Sequence, residues 1–192
     1  MTALAALQAE LEERRDGWWE RLMAAIPELA ELDATPQSPH YHPEGDVGVH
    51  TRLAVAACPP GSDPDLPWAA LLHDIGKPAT SRREDDGRIT THGHDRQGAE
   101  LAETILARLG MPEERRRRIV WAIRHHMFHL SWQLTSAAEV SRRQLRLLRD
   151  PDFPLLLELL RADSLASKGS GDKLKAYGFY RELWRSAAES SG

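Results

Sequence analysis

Apolar residues recur at helical spacing along most of this chain, with polar residues filling the intervals. The stretch "ALAALQAELEERRDGWWERLMAAI" carries such a stripe and predicts one or two amphipathic helices. "PELAELDATPQSPHYHPEGD" is broken by Pro, Asp and Gly, and reads as a short turn followed by a loop. "VGVHTRLAVAA" predicts a helix that "CPPGSDP" ends. "DPDLPWAALLHDIGK" predicts a short, almost wholly apolar helix with proline near its start, stopped by Gly76 and Pro78. A polar loop follows, with a small hairpin expected at "DDGRI". Next come "DRQGAELAETILARLG", with Asp95 as cap and Gly110 as stop, and "MPEERRRRIVWAIRHHM", with Pro112 in its first turn. "TSAAEVSRRQLRLLRD", "PLLLELLRADSLAS" and "DKLKAYGFYRELWRSAAE" predict the remaining helices. About eight helices and no sustained strand pattern predict an all-α fold, a helical bundle.

Composition narrows the possible partners. A formal net charge of −4 over 192 residues excludes a global basic field, so any attraction for phosphates has to be local or carried by a cation. The lone Cys58 excludes an internal disulfide and fits a reducing compartment. No signal pattern opens the chain, and no apolar run approaches the ~20 residues of a membrane span. The expectation is a cytoplasmic protein with no membrane partner; the sequence sets no oligomeric state.

Polar residues on apolar faces supply the candidate chemistry. His50 lies three before Leu53, four before Ala54 and seven before Ala57, so it shares its helix's apolar face. Asp163 lies seven after Leu156, four after Leu159 and three after Leu160. His73 and Asp74 end the apolar helix. A carboxylate facing a core has to be paired, protonated or bound to metal. Taken singly, an inward His is more often a hydrogen-bonded core residue, and Asp163 alone suits a cap or an arginine partner. Three helices aiming such groups inward are explained more simply by a cation: Mn, Fe, Co, Ni or Zn for mixed imidazole and carboxylate, Mg for carboxylate and water. His94 lies just before a helix. His126, seven after Ile119 and three after Ile123, faces the core, whereas His125 follows Trp121 by four and points to one side. His40, His42, His92 and His129 are expected in solvent, with His42 the leading exception. The run Arg115 to Arg118 reads first as a solvated helix face; its rival is a phosphate-attracting rim helped by Arg142, Arg143 and Arg146. Trp18, Trp19, Trp121, Trp132 and Trp184 read as packing residues.

The set His50, His73-Asp74 and Asp163 resembles the four-residue signature of the HD phosphohydrolase superfamily, including its HDIGK form. The flanks "IPELAELDATPQSPHYHPEGDVGVHT", "ALLHDIGKPAT", "DGRITTHGHDRQGAELAE" and "RHHM" look like the HD domain of bacterial CCA-adding tRNA nucleotidyltransferases, from about Trp18 to about Ala166. The nucleotidyltransferase head of that family, with its Gly-Ser loop and paired aspartates, is absent, so CCA addition is not expected. The resemblance implies one HD domain over 1–192: N-terminal helices and loop in 1–40, a metal-binding core in 41–166, a loop and C-terminal helix in 167–192. By position it implies His50, His73, Asp74 and Asp163 as ligands of a first divalent ion. Asp74 would bridge to a second, held by residues at the positions of His94, His125 and His126. Lys77 reads as an electrostatic contact to a phosphate, and Lys168, in "SLASKGSGDK", as a weaker one. "FHLSW" follows "RHHM" where cyclic-di-GMP phosphodiesterases carry GYP, and Ile75-Gly76-Lys77 replaces the acidic pattern of guanosine tetraphosphate hydrolases; both substrates are disfavoured.

The implied activity is metal-dependent hydrolysis of nucleotide or RNA 3′-end phosphoesters, tRNA among them, as a 2′,3′-cyclic phosphodiesterase, 2′-nucleotidase or phosphatase. A hydrolase of dinucleoside polyphosphates or deoxynucleoside triphosphates, a non-catalytic RNA-binding module and a di-iron oxygenase are the alternatives.

Overall fold

The computed structural model describes residues 2–39, 41–132, 139–167 and 171–189. These form α1 (Ala3–Glu13), α2 (Trp18–Ala25), a 3-10 helix (Pro27–Ala34), α3 (Val47–Ala56), α4 (Leu66–Leu72) and α5 (Lys77–Thr80). A two-stranded ribbon of β1 (Arg82–Arg83) and β2 (Ile89–Thr90) is followed by α6 (His94–Arg108), α7 (Glu113–His125) and α8 (Phe128–Trp132). Then come α9 (Arg142–Leu148), α10 (Phe153–Ala166) and α11 (Gly171–Glu189). The fold is all-α. The antiparallel ribbon pairs Arg82 with Thr90 and Arg83 with Ile89, placing the expected hairpin around "DDGRI".

The surplus over eight helices comes from short pieces and from the first segment, which breaks at Gly17 (φ 75°) into α1 and α2. Pro78 does not stop a helix but opens α5 at its second position, where its missing N–H costs nothing. Asp95 is not the cap of α6; Gly93, with φ 79°, occupies that place and brings His94 into the first turn. The 3-10 helix replaces the turn read over Pro27–Ala34. The helix read over residues 135–150 starts at Arg142, because Ser141 and Gln144 close a capping box there; residues 135–138 lie outside the described residues.

Every residue of α4 is buried, so this helix is apolar all round and runs through the core. It touches α1, α3, α7 and α10. A second apolar cluster, built on Phe128, Phe153, Leu156 and Tyr180, joins α8 to α11. Two close approaches set the site's geometry. A Cβ on Gly76 would stand 2.3 Å from the His94 carbonyl oxygen and 2.5 Å from Gly98 N, so the turn after α4 lies backbone to backbone on α6. Likewise a Cβ on Gly48 would collide with Asp33, which accepts hydrogen bonds from Trp19 Nε1 and Arg52.

The arginine run is largely consumed by structure. Arg115 and Arg118 grip the fully buried Asp65 at 2.6 and 2.5 Å. Arg118 also reaches Asp63 and Asp152, Arg117 reaches Asp152, and Arg116 pairs with Glu103. Among the described residues no helix is long and apolar enough to cross a membrane.

Candidate metal centre

Local structure turns the polar side chains inward. Asp46 caps α3 by accepting the Val49 N–H at 2.8 Å, and the register that follows buries His50 completely. The turn after α4 delivers His73 and Asp74, also buried. His94 opens α6, His126 follows the last residue of α7, and Asp163 lies three residues before the end of α10; all three are buried.

Asp74 is the hub. Its Oδ2 lies 3.2 Å from His73 Nε2 and 3.7 Å from His50 Nε2. Its Oδ1 lies 3.5 Å from His94 Nε2 and 3.9 Å from His126 Nε2. Each carboxylate oxygen therefore faces a different histidine pair. Asp163 Oδ1 approaches His50 Nε2 at 3.0 Å.

The outer ring nitrogens are all engaged. His73 Nδ1 donates to Ala70 O at 2.8 Å, His94 Nδ1 to Thr91 O at 2.7 Å, and His126 Nδ1 to Ile123 O at 2.6 Å. His50 Nδ1 donates to Glu44 Oε1 at 2.7 Å. With the proton held on Nδ1, each ring turns an Nε2 lone pair toward the centre. These nitrogens come within 3.3 Å of each other for His50–His73 and 3.0 Å for His94–His126. Lone pairs so placed repel unless a proton or a cation lies between them. Imidazole nitrogen with carboxylate oxygen is the donor mixture of divalent transition-metal sites. Two groups have the spacing to hold an ion, His50, His73 and Asp74 for one and Asp74, His94 and His126 for the other, and Asp163 Oδ1 stands beside the first against His50 Nε2.

Charge is distributed to match. Burial opposes ionisation of Asp74, but His73, Lys77 and His94 hold its carboxyl well below the usual range. Burial acts likewise on Asp163, where Lys173 and His50 prevail. Burial pushes His126 down to about 3, helped by His94 and His73, and lowers His94 too. His50 moves the other way, its burial outweighed by Asp163 and Glu44.

One expected ligand falls elsewhere. His125 bonds Trp121 O through Nδ1 at 2.8 Å and packs against the Trp121 ring, so of the adjacent pair only His126 faces the cluster. Lys168 lies outside the described residues, as does His40. Lys77 is buried at the centre, 2.7 Å from Asp74 Oδ2 and 3.0 Å from Gln37 Oε1. His92 is exposed, as expected, but His129 is buried, because α8 turns its Nδ1 back to donate to His126 O at 3.3 Å.

Four residues at the site escaped the sequence reading. Glu44 accepts hydrogen bonds from both His50 and His42; burial opposes its charge, yet those bonds hold its carboxyl down to about 2. Gln37 orients Lys77. Lys173 contacts both oxygens of Asp163 at 3.1 Å. His129 Nε2 is buried without a hydrogen-bond partner on the wall of a cavity of about 660 Å³ that opens over the cluster. Tyr41 and Leu130, both exposed, stand on that cavity's wall.

Fold and site together define an all-helical protein built around a buried histidine–aspartate cluster of metal-ligating composition. The chain belongs to the HD domain family, whose family model matches residues 50–167. It is 38% identical over 146 residues to the A-adding tRNA nucleotidyltransferase of Deinococcus radiodurans, covering 75% of this chain and 32% of that protein. It is 35% identical over 178 residues to the multifunctional CCA protein of Alkalilimnicola ehrlichii, covering 87% and 41%, and 35% over 154 residues to that of Cupriavidus metallidurans, covering 77% and 36%. The chain thus spans roughly a third of the length of these relatives. HD domains are generally metal-dependent phosphohydrolases, and family and cluster together support a metal-dependent hydrolase.

Proposed function

We propose that the chain hydrolyses phosphoesters at nucleotide or RNA 3′ ends, with 2′,3′-cyclic phosphates the leading substrates and 2′-nucleotides and other phosphomonoesters next. One or two divalent ions (Mg, Mn, Fe, Co, Ni or Zn) are the cofactor, held by His50, His73, Asp74 and Asp163 and by Asp74, His94 and His126. The division of the two Asp74 oxygens between two histidine pairs carries this reading. Bound there, divalent ions supply an acidified water and neutralise phosphoryl oxygens.

The chain's own residues do the rest. Lys77 has three N–H donors; Asp74 and Gln37 take two, and the third is left for a phosphoryl oxygen in the cavity it lines. This buried ammonium group favours phosphoester chemistry over the activation of dioxygen. A cavity of about 660 Å³ lies in the range that takes a nucleotide. A cyclic phosphate is strained, and its ring oxygen leaves without departing from the site. The name of the Deinococcus radiodurans relative, an A-adding tRNA nucleotidyltransferase, supports an RNA end as substrate.

Metal-stripped protein resupplied separately with Mg, Mn, Co and Ni tests the proposal on a panel of phosphoesters. Metal-dependent hydrolysis of 2′,3′-cyclic nucleotides bearing several bases is expected. Lys77→Ala should lower turnover about 10²-fold, the scale of losing one charge-stabilising donor, with metal content unchanged. Turnover confined to deoxynucleoside triphosphates or dinucleoside polyphosphates would refute the substrate. Oxygen uptake by the iron form with no phosphoester turnover would refute the reaction.

A further inference from the structure

Unlike Arg115 to Arg118, a group of arginines from the end of α7 to α9 is left without counter-ions among the described residues. Arg124 on α7, Arg142, Arg143 and Arg146 on α9, and Arg149 just after it have no carboxylate within ion-pair distance among the described residues. Three of these, Arg124, Arg143 and Arg146, line a cleft of about 840 Å³ together with His125, Trp132 and Gln144. Asp95 and Asp150 also reach it, and one Asp150 oxygen is occupied by the Asp152 N–H. Met127 forms part of the wall of this cleft and of the cavity over the metal cluster, so the two adjoin. In a protein of net charge −4, the cleft is a local positive field beside a phosphoester site.

We propose that this cleft holds the sugar–phosphate backbone of a single-stranded RNA whose 3′ end reaches the metal cluster. The inference rests on the hydrolase reading of that cluster and makes its substrate an RNA end in preference to a free nucleotide. Guanidinium groups match phosphate geometry in a way that ammonium groups do not. His125, turned away from the cluster, and Trp132 add ring surface beside them, the combination that single-strand grooves use. An acidic peptide would satisfy the charge but has no bases for the rings and no phosphoester for the adjoining cluster.

Fluorescence anisotropy with a labelled oligouridylate ending in a 3′ hydroxyl tests this on the full metal-loaded chain. The Arg143→Ala/Arg146→Ala variant should bind the RNA about tenfold more weakly. Its slope of log affinity against log salt should fall by about 0.7 for each arginine removed. Its turnover of 2′,3′-cyclic mononucleotides should match that of the unaltered protein. Unchanged RNA affinity and slope would overturn the proposal, as would an equal loss in Arg142→Ala/Arg149→Ala, which alters the same region outside the cleft. Binding of an oligoglutamate of equal charge as tightly as the RNA would overturn it too. Failure of the unaltered protein to hydrolyse any phosphoester, with RNA binding intact, would sink the hydrolase reading alone.

Discussion

At the scale of single residues, Glu44 shows what lies behind the cluster's geometry. Its Oε1 receives both His50 and His42, so one carboxylate fixes the tautomer and aim of a buried imidazole. Glu44→Gln keeps the shape and removes the charge. Metal affinity should fall about 10- to 100-fold by titration of the stripped protein, while the helical circular-dichroism signal is retained. Unaltered affinity would leave Glu44 as a packing residue. His50, His73, Asp74 and Asp163 were legible in the sequence because their spacing puts polar groups on apolar faces. Lys173 obeys the same rule, since Ala176, Tyr180, Leu183 and Ala187 continue its stripe along α11. Glu44 had no such signal: it sits in a loop, where no periodicity reports on burial. The choice between His125 and His126 turned on a rotation of about 100° per residue, which the apolar partners Ile119 and Ile123 already indicated.

Elements repeat the pattern at larger scale. Long periodic helices and the apolar α4 were legible; α5 and α8, of four and five residues, are too short to carry a period. The arginine run was ambiguous because the Asp63, Asp65 and Asp152 carboxylates that Arg115, Arg117 and Arg118 meet lie 34 to 55 residues away in sequence. Nor could spacing reveal that Gly76 is a contact as well as a helix stop. Gly76→Ala would push the turn carrying Asp74 off α6, because backbone atoms stand where the methyl must go. We expect a loss of about 1–3 kcal/mol in denaturant unfolding, typical of overpacking, together with loss of the ion proposed for His94 and His126. Full metal content in that variant would show that the approach of the two backbones is not what places His94.

For the whole molecule, burying this many ionisable groups ties stability to pH and metal. His126, lowered from 6.5 to about 3, and His42, lowered to about 4, take up protons more readily in the unfolded chain, as His94 and His129 do in the same direction. Their contribution is whole above about 6.5 and drains away as pH falls toward 3. His50, raised, contributes in the opposite sense and loses its share as pH rises through its folded value. With four histidines against one, the melting temperature of the stripped protein should fall steadily from pH 7 to pH 5; a flat profile would contradict the buried, neutral state of these rings. Saturating metal should raise it, by about 2.7 kcal/mol of stability at a hundredfold excess over Kd.

The sharing of Asp74 has a consequence for stoichiometry. If two dications bind as proposed, one carboxylate has a single negative charge to divide between them, and the tight seat of Gly76 against Gly98 holds the turn that carries it. An ion in one half withdraws charge from the other and adds its own repulsion, and by linkage the penalty is mutual. Filling should therefore be anticooperative, with a half-loaded species that persists over a wide span of metal concentration, so the availability of metal in its surroundings would set which of two forms of the protein is present.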